Sequence, residues 1–125
     1  ECAAYGLTPV QYSVLTALQR EGILDQASIA VAVGIDRANT ADVVARLEKR
    51  GLLRRSGDKA DLRVKRCALT QKGLDITTCM ESAVERAQAR TLAALPDAER
   101  RRFHESLCRI VEANNALGRA PLRLR

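Results

Sequence analysis

Gly34 and the acid two residues after it constrain this chain more than any other feature. A glycine takes up a left-handed backbone easily. An aspartate accepts hydrogen bonds from the first free amides of a helix. The run Gln26–Val33 therefore ends at Gly34, and a new helix over 37–50 starts behind Asp36. Helical spacing turns Thr40, Val43, Val44 and Leu47 of that second helix inward. Asp25 caps the shorter run, whose inward residues are Ile29, Ala30 and Val33. Gly51 closes the longer helix behind a cationic last turn, Lys49 and Arg50, which suits the helix dipole. Two short helices joined by a tight glycine turn make a helix-turn-helix.

A strand over 52–55, a polar turn over 56–61 containing Gly57, and a partner strand over 62–69 then predict a hairpin. A helix-turn-helix followed by a basic hairpin is a winged helix. Upstream, Thr8 caps a helix with Pro9 at its first position, and Gln11 can reach back to complete a capping box. Its apolar stripe is Val10, Val14, Leu15 and Leu18, and Gly22 ends it.

Downstream, Thr70 caps a long helix reaching about residue 94 through Leu74, Thr77, Thr78, Val84, Ala87 and Leu92. Pro96 and Asp97 break it and start a last helix to about residue 117, striped by Phe103, Leu107, Ile110 and Val111. Gly118 and Pro121 stop that helix. Each of these two helices would be about 33 Å long. Their stripes have no further domain to bury them, so a second copy of the chain is the expected cover, in a two-fold homodimer. The fold class is mainly α with a small β-hairpin wing: a winged helix-turn-helix over 6–70, then dimerisation helices over 71–118. Residues 1–5 read as the remnant of an N-terminal helix, because Glu1 looks like a residue from the middle of a protein.

Charge gives the first functional clue. Residues 34–70 hold ten Lys or Arg and five acids, a net charge of +5 against +6 for the whole chain. Clustered positive charge points to a polyanion, most often nucleic acid. A membrane surface is the rival, but no apolar run approaches the ~20 residues of a spanning helix. No export signal is visible, and a cytoplasmic location is expected. The cysteines Cys2, Cys67, Cys79 and Cys108 form no C-x-x-C pair and read as reduced thiols, the last three as small buried hydrophobes. His104, the single histidine, shares a helix face with Cys108 and reads as a surface residue beside a core thiol. No phosphate-binding glycine loop and no converging metal ligands appear. Neither an enzyme, a cofactor nor a metal is expected.

Several spaced motifs in one order resemble the MarR family of bacterial transcription regulators. LTPVQY, from Leu7 to Tyr12, is similar to the family's opening of its second helix. GIDR, from Gly34 to Arg37, and RLEKRGL, from Arg46 to Leu52, are similar to its recognition helix and exit. Asp61 and Arg63 match the D-x-R of its wing, and LTQKG, from Leu69 to Gly73, the start of its long dimer helix. The resemblance implies a winged-helix homodimer that binds palindromic double-stranded DNA and is released by a small ligand. The family's first helix would precede Glu1. More narrowly, the opening ECAAYGLTPVQY and the closing RAPLR resemble members that control breakdown of aromatic or nicotinic acids.

A recognition helix lies in the major groove with its N-terminal residues at base edges. Arg37, Ala38, Asn39, Ala41 and Asp42 occupy that outward face. Asn39 can bond adenine or serve as a second cap. Arg37 can reach guanine or a phosphate, and Asp42 can accept from cytosine or pair with an arginine. Lys59 and Arg63 at the wing tip suit the minor groove, with Asp61 holding the loop in shape. Arg54, Arg55, Lys65 and Arg66 flank the wing and would meet phosphates. By resemblance, a small aromatic carboxylate effector would bind where the dimer helices meet the winged domain, with Tyr5 and Tyr12 on that seam. The function expected is a ligand-released repressor. A thiol-based redox regulator of the same fold and a DNA-packaging winged helix are the alternatives.

Overall fold

Thr8 and Gln11 form the capping box that their spacing dictates. The Gln11 amide donates to Thr8 Oγ1 at 3.2 Å, and the Thr8 amide donates to Gln11 Oε1 at 3.0 Å. They open α1, Pro9–Glu21, in a computed structural model that describes residues 2–57, 64–118 and 120–122. A short 3-10 turn, Cys2–Tyr5, precedes it. Leu7 and Tyr12 bracket the cap as a hydrophobic staple, Leu7 in the core and Tyr12 packed against it. Val14, Leu15 and Leu18 are buried as expected. Val10 is not: Leu7 has taken the core position at this end of the helix, and Val10 is left at the surface.

Next come β1, Leu24–Asp25; α2, Gln26–Val33; and α3, Arg37–Lys49. Asp25 and Asp36 both act as caps, and Gly34 sits between the two helices at φ 72. The turn and its two helices are the helix-turn-helix. The inward face of α3 is Thr40, Val44 and Leu47, all fully buried, with Val43 half-buried.

β2, Leu53–Gly57, and β3, Lys65–Leu69, pair antiparallel, with Arg55 opposite Cys67 and Ser56 opposite Arg66. β2 thus begins one residue later and runs two residues further than the sequence pattern indicates. β1 adds a third strand, so the order is β1-β3-β2, with Leu24 opposite Cys67. A two-residue strand carries no periodicity, which is why the sequence did not reveal it.

α4, Gln71–Thr91, and α5, Asp97–Asn114, follow. α4 is fused to the end of α3. Thr70 Oγ1 accepts from the Gly73 amide at 3.1 Å and donates to the Gly51 carbonyl at 2.6 Å. Gly73 lies so close to Leu52 that a Cβ there would fall 1.9 Å from the Leu52 carbonyl oxygen. Met80 and Ala83 of α4 are buried, and Met80 belongs to the same core as Leu15, Ile29 and Leu47. Of the expected stripe, Thr77 is buried on this core face, whereas Leu74 and Thr78 are exposed and Val84, Ala87 and Leu92 are half-buried. α5 has no buried residue, and Phe103, Leu107 and Ile110 are exposed. Cys67 is buried as expected, but Cys79 is exposed and Cys108 only half-buried, because their helices lack cover on those sides.

Candidate nucleic-acid interface

The outer face of the helix-turn-helix is built on α3. Asp36 Oδ1 accepts from the Asn39 amide at 2.9 Å, which holds the carboxyl of Asp36 below its ordinary value. Thr40 turns inward, and its hydroxyl donates to the Asp36 carbonyl at 2.8 Å. That leaves Arg37, Ala38, Asn39, Ala41 and Asp42 exposed together. A 13-residue helix is about 20 Å long, and a major groove admits one.

The polar side chains of this face are not all free. Asn39 donates its side-chain amide to Asp36 Oδ2, so it braces the capping carboxylate rather than capping the helix itself. Asp42 pairs with Arg46 at 3.0 Å, one helical turn on. Arg37 instead lines a cleft of about 360 Å³ with Lys65, Val64 and the start of α2 at Asp25, Gln26 and Ala27. The helix-turn-helix and the base of the wing thereby bring two expected DNA-facing cations to one cleft.

Arg54 and Lys65 are exposed on the wing strands. Arg55 is not available in the way the sequence suggested. Its Nε donates to Glu48 Oε2 at 2.7 Å, its Nη2 bonds the same oxygen, and its amide donates to Glu48 Oε1 at 3.1 Å. These hydrogen bonds hold the Glu48 carboxyl below its ordinary value and the Arg55 guanidinium above its own. Arg55 shares its face of the hairpin with buried Cys67, so it faces α3 and fixes the angle of the wing. Lys59, Asp61 and Arg63 lie outside the described residues.

Tyr5 and Tyr12 are half-buried and pack against the core. Tyr12 lines a shallow cleft with Ser13, Thr16 and Arg20. Neither tyrosine lines the large apolar groove of about 780 Å³ that runs between the start of α1 and the facing sides of α4 and α5. Its walls include Cys2, Leu7, Thr8, Val84, Ala87 and Phe103, with Arg100 and His104 as its cationic or titratable groups. The sequence reading put His104 on the helix surface and did not single out Arg100, because nothing in α5 marks which of its many arginines turns toward α4. Arg100 Nε donates to the Leu92 and Leu95 carbonyls at 2.9 and 2.7 Å, which fastens α5 to the end of α4.

Burial pushes the Cys67 thiol up, which makes it inert as a redox sensor. Cys108 Sγ lies 3.7 Å from His104 Nδ1. Among the described residues no group of three or more His, Cys, Asp or Glu side chains is placed to hold a metal ion. No helix among them is long and apolar enough to cross a membrane.

A sequence model described as the MarR family matches residues 7–65. PcaV, a transcriptional regulator from Streptomyces coelicolor solved with its natural ligand, superposes with a TM-score of 0.81 at 37% identity, over 85% of this chain and 75% of that one. This chain belongs to the MarR family. BpsR from Bordetella bronchiseptica, whose DNA binding is regulated by 6-hydroxynicotinic acid, superposes at 0.80 with 32% identity, over 85% and 80% of the two chains. A protein of Thauera aromatica named for regulation of the hcr operon is 35% identical over 95 residues, 76% of this chain and 57% of its own. The chain thus spans little more than half the length of that relative. As a member of the family, it carries a winged-helix fold of the kind found in these transcriptional regulators.

Proposed function

We propose that this chain is a repressor that binds palindromic double-stranded DNA as a homodimer and is released by a small aromatic carboxylate. The observation that carries the DNA reading is the exposed N-terminal face of α3 beside the cleft that joins Arg37 to Lys65. Arg37 and Ala38 meet base edges, and Asn39, Ala41 and Asp42 follow once Asp36 and Arg46 yield their partners to DNA. Arg54 and Lys65 meet phosphates, joined by Lys59 and Arg63 of the wing, with Asp61 shaping that loop. Arg55 acts indirectly, by holding the wing against Glu48.

The homodimer reading rests on α5, where Phe103, Leu107 and Ile110 are exposed along one helix. An apolar stripe of that length on a free surface is unusual. The effector reading draws support from PcaV, solved with a natural ligand, and from BpsR, regulated by 6-hydroxynicotinic acid. The apolar groove with Arg100 and His104 in its wall suits a flat acid. Tyr5 belongs to the segment forming one wall, and Tyr12 packs against the core.

The test is a gel-shift titration on DNA upstream of the gene, with and without a panel of aromatic acids. A retarded band at nanomolar protein, lost on adding one acid, supports the reading. Binding of equal strength to any DNA would favour a packaging role. Release by mild peroxide rather than by acids would favour a thiol sensor.

A further inference from the structure

One residue at the end of the recognition helix is hydrogen-bonded both to the segment that supplies one wall of the apolar groove and to the first turn of the helix that supplies another. Arg50 caps the C-terminus of α3. Its Nη1 donates to the Gly6 carbonyl at 2.6 Å and its Nη2 to the Tyr5 carbonyl at 3.1 Å. Those carbonyls belong to the segment whose Cys2, Leu7 and Thr8 form one side of the groove. The Arg50 carbonyl in turn accepts from Lys72 Nζ at 3.1 Å. Lys72 is in the first turn of α4, and Val84, Ala87, Gln88 and Thr91 further along α4 form the opposing side. Lys72 and Val84 are about 18 Å apart along α4, which therefore spans the distance between the groove and the end of α3.

We propose that Arg50 is the positioning residue through which occupation of this groove reaches the recognition helix. This rests on the effector reading above and adds its route. A molecule that spreads the groove pulls the 3-10 turn and α4 apart. Arg50 is held by its side chain to the first and by its carbonyl to the second. The spread is therefore relieved by displacing the end of α3. α3 also carries Arg37 and Ala38, so the spacing of two recognition helices in a dimer changes with it. A ligand shifts such an equilibrium only through a difference in affinity for the two arrangements, and a shared anchor creates that difference.

Two experiments decide the matter separately. In the first, Arg50→Ala and Arg50→Lys are compared with the unaltered protein for release from operator DNA by 6-hydroxynicotinic acid and by 4-hydroxybenzoic acid. Binding of each acid is measured independently by calorimetry. The expected result is that Arg50→Ala binds the acid with unchanged affinity but needs about tenfold more of it for release. Arg50→Lys, which keeps the charge but has a single donor nitrogen for the two carbonyls, falls between. Release of Arg50→Ala at the unaltered protein's concentration overturns the proposal.

The second experiment needs no ligand. Ala87→Trp places a permanent wedge in the groove, and its effect on operator affinity is measured with Arg50 and with lysine at position 50. A wedge that weakens operator binding about tenfold with Arg50, and clearly less with lysine, supports the coupling. An equal effect in both backgrounds overturns it. If neither acid binds the unaltered protein, the effector reading fails for these compounds while the wedge still decides the role of Arg50.

Discussion

Gly73→Ala tests how tightly the recognition helix is joined to α4. By helix propensity alone the change should help, since alanine exceeds glycine by about 1 kcal/mol inside a helix. The surroundings say otherwise. The added Cβ would sit 1.9 Å from the Leu52 carbonyl oxygen and 2.9 Å from the carbonyl carbon. A non-bonded contact that short requires the two to separate by about 1 Å. Neither side can yield cheaply. The Leu52 carbonyl accepts from the Thr70 amide at 3.2 Å, and Leu52 itself is fully buried. On the other side, Gly73 is in the first turn of α4, pinned by Thr70. Overpacking of this kind costs about 1–3 kcal/mol, and a backbone neighbour argues for the upper half. Melting followed by circular dichroism should show a midpoint lowered by about 5–15 °C. Operator affinity should fall as well, because the displaced carbonyl lies just beyond α3. A variant as stable as the unaltered protein, or more so, would refute the fusion of the two helices.

Other outcomes follow from the same geometry. Ile110→Glu puts a charge into the exposed stripe of α5, and light scattering should show the dimer dissociating at concentrations at least about tenfold higher than for the unaltered protein. Thr70→Ala removes a cap that also holds the Gly51 carbonyl, and should cost about 1–2 kcal/mol by urea titration, whereas Thr70→Ser should cost less. Glu48 has a folded-state pKa below its ordinary 4.5, so its bond to Arg55 contributes fully above that pH. The contribution is lost as the pH falls through the lowered value. Glu48→Gln should therefore melt earlier than the unaltered protein at neutral pH, and the two melting curves should converge in acid.

The local parts of this fold were legible because their causes are local. Thr8, Asp25, Asp36 and Thr70 cap helices through bonds spanning three residues, and a sequence displays that spacing directly. The contacts that join one element to another are of another kind. Arg55 meets Glu48, and Arg50 meets Tyr5 and Gly6 across more than forty residues, which no periodicity records. For that reason Arg55 read as a phosphate contact and Arg50 only as a charge at a helix end. α4 misled differently. It has a core face through Thr77, Met80 and Ala83 and a groove face through Val84, Ala87 and Thr91, and one stripe cannot describe both. The stripe on α5 was read correctly, yet a single copy leaves it open, which is the strongest argument for a second.

The proposed function needs two copies of α3 reading DNA side by side. A hydroxyl-radical footprint of the protein on its upstream DNA tests this most directly. Two protected half-sites of inverted sequence should appear, their centres about one helical turn apart, or a whole number of turns. Arg37→Ala should weaken protection in both halves together. Uniform protection along the fragment, or none, would contradict the account.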